Sequence, residues 1–155
     1  LGVRRQRQMC IRDSFNRISA NLKIAPSNVV LGLVDVDLVR RINETFGYEA
    51  GDIALKAVAH LLEKHFSDSH VSRFGGEEFC VYSSGKDVNT VVKKFETFRG
   101  IVEAKSIKIN GDEINCTVSI GVTGQFTGDI QETLKVAASN LKVARDNGHN
   151  QMIFT

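Results

Sequence analysis

Arg73-Phe74-Gly75-Gly76-Glu77-Glu78-Phe79 is the stretch that says most about the fold and chemistry of this chain. It places two glycines and two carboxylates before Phe79-Cys80-Val81-Tyr82, which has the character of a half-buried strand. The glycines supply a turn, so the segment predicts a β-hairpin with a charged tip. Adjacent glutamates repel each other, and a hard cation such as Mg²⁺, held between them and a third carboxylate, would relieve that repulsion. The alternative is a Gly-Gly turn with solvated glutamates.

A second group of carboxylates ends an apolar run. Residues Val29–Asp37 form a run of strand length that finishes in Asp35 and Asp37. Such runs are typically buried on both faces of a sheet. Because side chains alternate along a strand, the two aspartates share one face and Val36 points to the other. Carboxylates at the end of a buried strand are unfavourable unless they are paired or bound to a metal. A simple strand cap is the alternative interpretation.

Hydrophobic periodicity and turn residues predict a mixed α+β domain. An amphipathic N-terminal helix is predicted within residues 1–24, where the basic residues could instead mark an acidic or nucleic-acid partner. Strands and helices then interleave with two hairpins, which indicates a mainly antiparallel sheet with helices on its faces. The predicted strands are 29–37, the hairpin over 71–82, 107–109 joined to 114–122 at Asn110-Gly111, and 152–154; the predicted helices are 39–46, 50–66, 87–104 and 130–146.

Composition indicates one globular domain. The chain has 155 residues, 42% of them hydrophobic, and a net charge of +2. No apolar run approaches the ~18 residues that span a membrane, and no secretory signal is visible. We therefore predict a cytoplasmic domain with no membrane segment, although the full-length protein could be membrane-anchored. Cys10, Cys80 and Cys116 lack metal-ligand spacing and are predicted to be reduced packing residues.

The order of several short motifs resembles the GGDEF domain of diguanylate cyclases. The landmarks are Asp35-Val36-Asp37, Ile42-Asn43, Phe46-Gly47, Gly51-Asp52, Arg73–Phe79, Val118–Val122 and Gly148-His149-Asn150. Glu77 stands where the family name has Asp, a variant that active members also use. The resemblance implies a palm-like nucleotidyl-cyclase sandwich, with residues 1–155 forming a single GGDEF-type domain whose opening motif is truncated.

Roles for the acidic residues follow from the resemblance. It implies that Asp35, the carbonyl of Val36 and Glu77 bind metal. Glu78 would be a further ligand or the group that helps deprotonate a ribose 3′-hydroxyl. The catalytic residues are therefore predicted to be Glu78, Glu77 and Asp35, and the cofactor two Mg²⁺ ions per site, with Mn²⁺ possible.

Substrate contacts are also implied by the resemblance. Asn43 and Asp52 match the positions that read guanine, although an ordinary helix-surface residue and a helix N-terminal acid would look the same. The remaining substrate-binding residues implied are Gly75, Gly76, Leu38, Val39, Arg40, Arg145 and His149. Arg145 and His149 replace a Lys and an Arg of the family pattern, and Arg40 replaces a Lys. The window Phe66–Ser69 lacks the Arg-x-x-Asp of product-inhibited members, so no inhibitory site of that type is predicted.

Three function classes are consistent with the sequence. The favoured class is a diguanylate cyclase that joins two GTP molecules across a homodimer, so the partners are GTP and a second copy of the domain. A catalytically weak or inactive GTP-binding regulatory module, with sensory or phosphodiesterase domains on the same full-length chain, is the second. An RNA-binding domain is the third, but Glu77 and Glu78 would repel a phosphate backbone, so no nucleic-acid partner is predicted.

Overall fold

The computed structural model describes residues 28–126 and 128–155. The predicted N-terminal helix over residues 1–24 lies outside these residues. Seven strands and four helices follow in chain order within the described part. They are β1 (Val29–Val36), α1 (Val39–Phe46), α2 (Ala50–His65), β2 (His70–Arg73), β3 (Glu78–Ser84), α3 (Val88–Ala104), β4 (Ser106–Ile109), β5 (Asp112–Asn115), β6 (Val118–Thr123), α4 (Ile130–Asp146) and β7 (Met152–Phe154).

Strand β1 lies at the centre of a five-stranded sheet with the order β2-β3-β1-β6-β7. It pairs antiparallel with β3 on one side and with β6 on the other, and all eight of its residues are buried. This central position explains why the run is apolar throughout rather than alternating. Only the β6–β7 pair in this sheet is parallel, so the predicted mainly antiparallel α+β fold is confirmed.

Side chains of β1 alternate between two hydrophobic clusters. Val30 and Val34 pack on the face that carries the large aromatic core, to which Phe66, Phe95 and Phe98 belong. Leu31 and Leu33 pack on the opposite face with Leu141 of α4, and Cys80 is a free buried thiol there. Asp35 continues the odd-numbered series and so points toward the α4 face, which brings a carboxylate under that helix.

One predicted strand is wrong: residues 114–122 form two strands rather than one. Strand β5 pairs with β4 in a separate two-stranded sheet, whereas β6 belongs to the central sheet. The chain breaks between them because the Thr117 carbonyl accepts from the Asp37 backbone N–H at 2.9 Å and the Thr117 hydroxyl donates to the Asp37 carboxylate at 2.7 Å. The Asn110-Gly111 turn is confirmed, with φ angles of +51° and +88°.

Gly121 of β6 allows α4 to lie very close to the sheet. A Cβ at this position would be 2.2 Å from the Ala137 carbonyl oxygen and 2.3 Å from the Leu141 nitrogen. Arg145 follows one helical turn after Leu141, about 6 Å further along the axis. The close approach therefore helps to carry the guanidinium of Arg145 toward the end of β1. Within the described residues, no helix has both the length and the apolar character needed to cross a bilayer.

Candidate functional site

Three carboxylates converge where β1 ends beside the β2–β3 hairpin. The strand register sets Asp35 directly opposite Glu78, and the Val36 N–H donates to the Glu77 carbonyl at 3.1 Å. Residues directly opposite in an antiparallel pair have their Cβ atoms about 5 Å apart. The predicted meeting of the two acidic segments is therefore present in the structure, although their chemical roles remain predictions.

The hairpin turn is shaped by Gly75 and closed by local hydrogen bonds. Gly75 has a φ of +89°, a backbone conformation that glycine adopts without the steric penalty of a side chain. The Phe74 N–H donates to the Glu78 carbonyl at 2.7 Å, and the Arg73 guanidinium donates to the Gly76 carbonyl at 2.8 Å. Apart from Gly76 and its two chain neighbours, no described residue has an atom within 4 Å of where a Cβ of Gly76 would stand, so the backbone there is accessible to a ligand.

Arg145 of α4 contacts carboxylates from both neighbouring strands. Its Nη1 lies 3.0 Å from Asp35 Oδ2, and its Nη2 lies 3.7 Å from Glu78 Oε1. The Asp35 side chain is only 7% exposed, whereas those of Glu78 and Arg145 are 29% and 40% exposed. The guanidinium thus places a positive charge among three acidic side chains.

The protonation of Asp35 reflects this environment. The pKa of the Asp35 carboxyl is raised to about 7: burial is the largest cause, the Arg145 guanidinium opposes it, and the nearby Glu78, Glu77 and Asp37 carboxylates add to the increase. Its second oxygen, Oδ1, is buried and has no hydrogen-bond partner among the described residues. A buried carboxylate oxygen without a partner is unfavourable, so Asp35 retains capacity for a cation or a donor.

A cavity of about 610 Å³ opens between the hairpin turn and α4. Its polar end contains the three carboxylates, the two glycines and Arg145, and the rest of its lining combines apolar side chains with Gln131 and Lys135. One face of α4 forms a long wall of this cavity. The lining residues are Leu33, Asp35, Phe74, Gly75, Gly76, Glu77, Glu78, Ile130, Gln131, Leu134, Lys135, Ala138, Leu141 and Arg145.

The oxygen donors at the polar end fit Mg²⁺. The partnerless Asp35 Oδ1 and the mutual repulsion of Asp35, Glu77 and Glu78 both favour a cation there. Within residues 28–126 and 128–155, no group of three or more His, Cys, Asp or Glu side chains is arranged to hold a metal ion. Mg²⁺ is usually held by one or two carboxylates together with substrate phosphates, so a bound nucleotide would have to complete its coordination here.

The two predicted guanine-reading residues lie at the corner between α1 and α2. The Asn43 side-chain oxygen accepts from the Gly51 N–H at 2.7 Å, and Asp52 forms a 3.1 Å ion pair with Lys56. These are the local contacts that an ordinary helix corner would make. Neither residue lines the cavity between the hairpin and α4, so their role in base recognition remains a prediction.

The predicted substrate contacts just after β1 are also outside that cavity. Leu38 has a φ of +57° and is 52% exposed, whereas the Val39 side chain is 5% exposed and packs in the core. Arg40 projects into solvent and pairs with Glu44 on its own helix at 3.3 Å. A contact between Val39 and a substrate would therefore have to involve its backbone.

His149 follows the end of α4 and is held by that helix. Its backbone N–H donates to the Ala144 carbonyl at 3.0 Å, and its ring Nδ1 lies 3.3 Å from the Arg145 carbonyl oxygen. His149 has a φ of +65° and does not line the cavity. Of the two predicted triphosphate-binding residues, the structure thus brings Arg145 to the carboxylates, whereas His149 contacts the backbone of Arg145 and lies outside the cavity.

Sequence reasoning missed Gln131 and Lys135, which line the cavity from the first half of α4. The signal that could have identified them is helical spacing: Gln131, Lys135, Ala138 and Arg145 recur at intervals that share one helix face. Asp37 was grouped with Asp35, but its oxygens accept from Thr117, Ser119 and Asn150. Asp37 is therefore committed to protein donors.

The chain matches a known protein family over most of its length. Residues 8–151 match the family described as "Diguanylate cyclase, GGDEF domain", so the match begins well before the first landmark at Asp35. "Diguanylate cyclase A" of Treponema denticola is 33% identical over 127 residues, which cover 79% of this chain and 34% of that protein. The chain therefore spans about a third of the length of this curated relative.

Solved structures share the fold. The GGDEF domain of DgcB from Caulobacter crescentus, solved in complex with c-di-GMP, superposes with a TM-score of 0.84 and 22% identity, covering 93% of this chain and 87% of that one. The active GGEEF domain of a diguanylate cyclase from Vibrio cholerae superposes with a TM-score of 0.76 and 25% identity, covering 92% and 89%. Sequence and fold together show that this chain belongs to the GGDEF family of diguanylate cyclase domains.

Proposed function

We propose that this chain is a diguanylate cyclase, which condenses two GTP molecules to cyclic di-GMP and two pyrophosphates. The observation that carries the proposal is the convergence of Asp35, Glu77 and Glu78 with Arg145 around an accessible glycine turn. Nucleotidyl transfer needs positioning and charge stabilisation more than covalent chemistry. Carboxylates that can bind a metal and a guanidinium that can bind phosphates would supply both the positioning and the charge stabilisation.

The acidic residues would have two roles, metal binding and proton transfer. Asp35, the Val36 carbonyl and Glu77 would hold the two Mg²⁺ ions, or Mn²⁺ in their place. Glu78 would be either a further ligand or the group that deprotonates the ribose 3′-hydroxyl, and we propose the second role. When bound, such ions polarise phosphate oxygens and stabilise the attacking and leaving oxygens of an in-line displacement. Glu78 would accept the proton of the ribose 3′-hydroxyl as that oxygen attacks the α-phosphorus and pyrophosphate leaves.

Arg145 would change partners when substrate binds. In the structure its positively charged guanidinium contacts both Asp35 and Glu78. A triphosphate offers more negative charge and a bidentate geometry that suits guanidinium. We therefore propose that Arg145 would exchange the carboxylates for the phosphates, beside the open backbone of Gly76. Leu38, Val39, Arg40 and His149 would complete the phosphate site.

Base recognition would fall to the corner between α1 and α2. A carboxylate can accept from the adjacent N1–H and N2–H of guanine, and an amide can meet the remaining edge. Asp52 has an exposed ion pair that is readily exchanged for such a partner. Asn43 would keep its Gly51 contact through Oδ1 and use its amide N–H₂ for the base.

The catalytic assembly would be a homodimer with one GTP bound per domain. Each 3′-hydroxyl would attack the α-phosphorus of the nucleotide held by the other copy, so one domain alone provides half of the site. Because this chain spans about a third of its curated relative, we propose that sensory or phosphodiesterase domains on the full-length protein control the pairing. GTP as substrate is consistent with a cytoplasmic domain.

A GTP-binding regulatory module is the second candidate function. It is favoured by the pairing of Arg145 with two of the acidic residues, which would keep an unproductive site closed. The presence of His149 where the family pattern has arginine also weakens phosphate binding in this interpretation. Such a module would bind GTP and release it unchanged.

Product analysis separates the two candidates. The protein is incubated with GTP and Mg²⁺, the products are resolved by chromatography, and GTP binding is measured by calorimetry. We expect cyclic di-GMP from the wild type and a loss of about 100-fold or more for Glu78→Gln, which removes the proton acceptor. Glu113→Gln, which changes an exposed carboxylate on β5, is the matched control and should be fully active. Bound GTP without product would favour the regulatory module.

A further inference from the structure

Asp37 is a buried carboxylate surrounded by protein donors. It is 4% exposed. Its Oδ2 accepts from the Thr117 hydroxyl at 2.7 Å and from the Asn150 backbone N–H at 3.0 Å, and its Oδ1 accepts from the Ser119 hydroxyl at 2.7 Å. Three donors satisfy the carboxylate, and hydrogen bonds to a charged group are among the stronger ones in proteins. Asp37 therefore ties the end of β1 both to β6 and to the segment after α4.

The segment held by Asp37 has an uncommon backbone conformation. His149 and Asn150 both have positive φ angles, +65° and +47°. Non-glycine residues adopt this region at an energetic cost, and they remain there when surrounding contacts hold them. A backbone hydrogen bond from Asn150 to a buried carboxylate is such a contact. The conformation of this segment thus depends on a residue of the strand that carries Asp35.

Helix α3 holds the same segment from the other side. Arg99 Nη1 donates to the Asn150 side-chain oxygen at 2.9 Å, and the Asn150 side-chain nitrogen donates to Glu103. Arg99 is also bound by Glu103 at 3.1 Å and by Glu96 at 2.7 Å. Asn150 is therefore fixed through both its backbone and its side chain.

This anchored segment leads directly to the phosphate-binding end of α4. The Gly148 N–H donates to the Arg145 carbonyl at 3.2 Å, and the His149 N–H donates to the Ala144 carbonyl at 3.0 Å. A displacement of Asn150 would therefore be transmitted to the last turn of α4, from which the side chain of Arg145 extends to Asp35. Small misplacements of charged groups in such sites have large effects on binding and rate.

We propose that Asp37 is a positioning residue, which through Asn150 fixes Arg145 and His149 relative to the triphosphate. The inference rests on the proposed function. It gives the two aspartates of β1 distinct tasks: Asp35 faces the metal and substrate, and Asp37 sets the distance between strand and helix end. Asp37 itself touches no substrate.

Nucleotide affinities test the inference. The Kd values of GTP and GMP are measured by calorimetry with Mg²⁺ for the wild type, Asp37→Ala and Asp37→Asn. Asp37→Ala should weaken GTP binding about tenfold or more and GMP binding less than about twofold, because the β- and γ-phosphates lose aligned partners. Asp37→Asn keeps an acceptor for Asn150 and can donate to the Ser119 hydroxyl, so it should recover most of the GTP affinity.

A second pair of variants keeps the test valid if Asp37→Ala does not fold. Asn150→Gly retains the backbone N–H and the positive φ but removes the contacts with Arg99 and Glu103, and it should weaken GTP binding about threefold or more with GMP unaffected. Glu96→Gln is the matched control, since Glu96 binds Arg99 without touching Asn150, and it should leave both affinities unchanged.

Four results would overturn the inference. The inference would be contradicted if folded Asp37→Ala bound GTP within twofold of the wild-type affinity. It would also be contradicted if Asp37→Ala did not fold and Asn150→Gly bound GTP with unchanged affinity. Equal losses for GTP and GMP would indicate general loosening rather than positioning. Wild-type protein that binds neither nucleotide would overturn the proposed function itself and the inference with it, and this outcome is recognised before any variant is compared.

Discussion

The guanidinium of Arg145 balances two carboxylates that belong to different strands. Its closer partner, Asp35, is almost fully buried, whereas Glu78 is partly exposed. Exposed ion pairs contribute little to stability because water screens them, so the Asp35 pair is the one that matters energetically. Asp35 is consequently the residue whose ionisation is most sensitive to what occupies the site.

The raised pKa of Asp35 predicts a pH-dependent stability. Because its folded-state pKa of about 7 exceeds the ordinary 3.8, the unfolded chain releases this proton first, and the contribution of Asp35 to stability falls as pH rises from about 4 to 7. In EDTA, Asp35→Asn should gain stability over wild type as pH rises through this window, by up to about 4 kcal/mol. Urea denaturation at pH 4.5, 6 and 8 measures the difference. A difference that does not vary with pH would contradict the prediction.

At the residue scale, chemistry and local spacing could predict which acidic segments meet, whereas the roles of those residues stay predictions. The meeting of Asp35 with Glu77 and Glu78 could be anticipated because an apolar strand that ends in acid and an acidic hairpin both need a partner. The contact of Arg145 with two carboxylates could not be anticipated, since it depends on how α4 crosses the sheet. Asn43 and Asp52 make the local contacts of an ordinary helix corner. Their residue types alone therefore do not distinguish base recognition from that structural role.

At the scale of elements, the packing of α4 on β6 determines the geometry of the site. This packing depends on Gly121, whose missing side chain leaves room for the backbone of the helix. Backbone atoms cannot move aside as the end of a flexible side chain can, so a methyl group there must displace α4 as a whole. Displacement of α4 would move Arg145 and Lys135 together.

Gly121→Ala should therefore be destabilising and should impair substrate binding. We expect a loss of about 3 kcal/mol in the free energy of unfolding, because overpacking against backbone is not relieved by rotamer changes. Gly100→Ala in α3 is the matched control: apart from Gly100, its chain neighbours and the adjacent backbone of α3, no described atom lies within 4 Å of its added methyl, and it should gain roughly 0.5 kcal/mol. Chemical denaturation of both variants checks the pair, and equal stabilities would contradict the packing argument.

Most elements were predictable because their signals are local. Alternation, caps and glycine turns lie within a few residues, as in α3, where the Asp87 side chain accepts from the Thr90 N–H at 3.0 Å. The division of residues 114–122 into β5 and β6 was not, since both halves are β-like in composition. The break arises from Asp37, which binds Thr117 from 80 residues away in sequence.

At the scale of the whole molecule, the proposed reaction needs two copies of the domain. In that proposal each site would hold one nucleotide and supply half of the reacting groups, so the rate per mole of protein should rise with concentration until dimers predominate. Product formation measured over a range of protein concentrations should therefore increase more steeply than linearly. Mixing Glu78→Gln with wild type should lower the rate below that of wild type alone, as mixed pairs form. A strictly linear dependence would argue against half-sites.

The Asp37–Asn150 contact also bears on how the chain acquires its structure during synthesis. The carboxylate of Asp37 emerges from the ribosome long before Asn150, which follows 113 residues later. Central strand β1 likewise cannot complete its pairing until β6 has been synthesised. Such distant pairing corresponds to a high contact order and slow folding. Nascent chains that stop short of Asn150 would leave a buried acid incompletely satisfied, so this domain should complete its fold only after Asn150 has been synthesised.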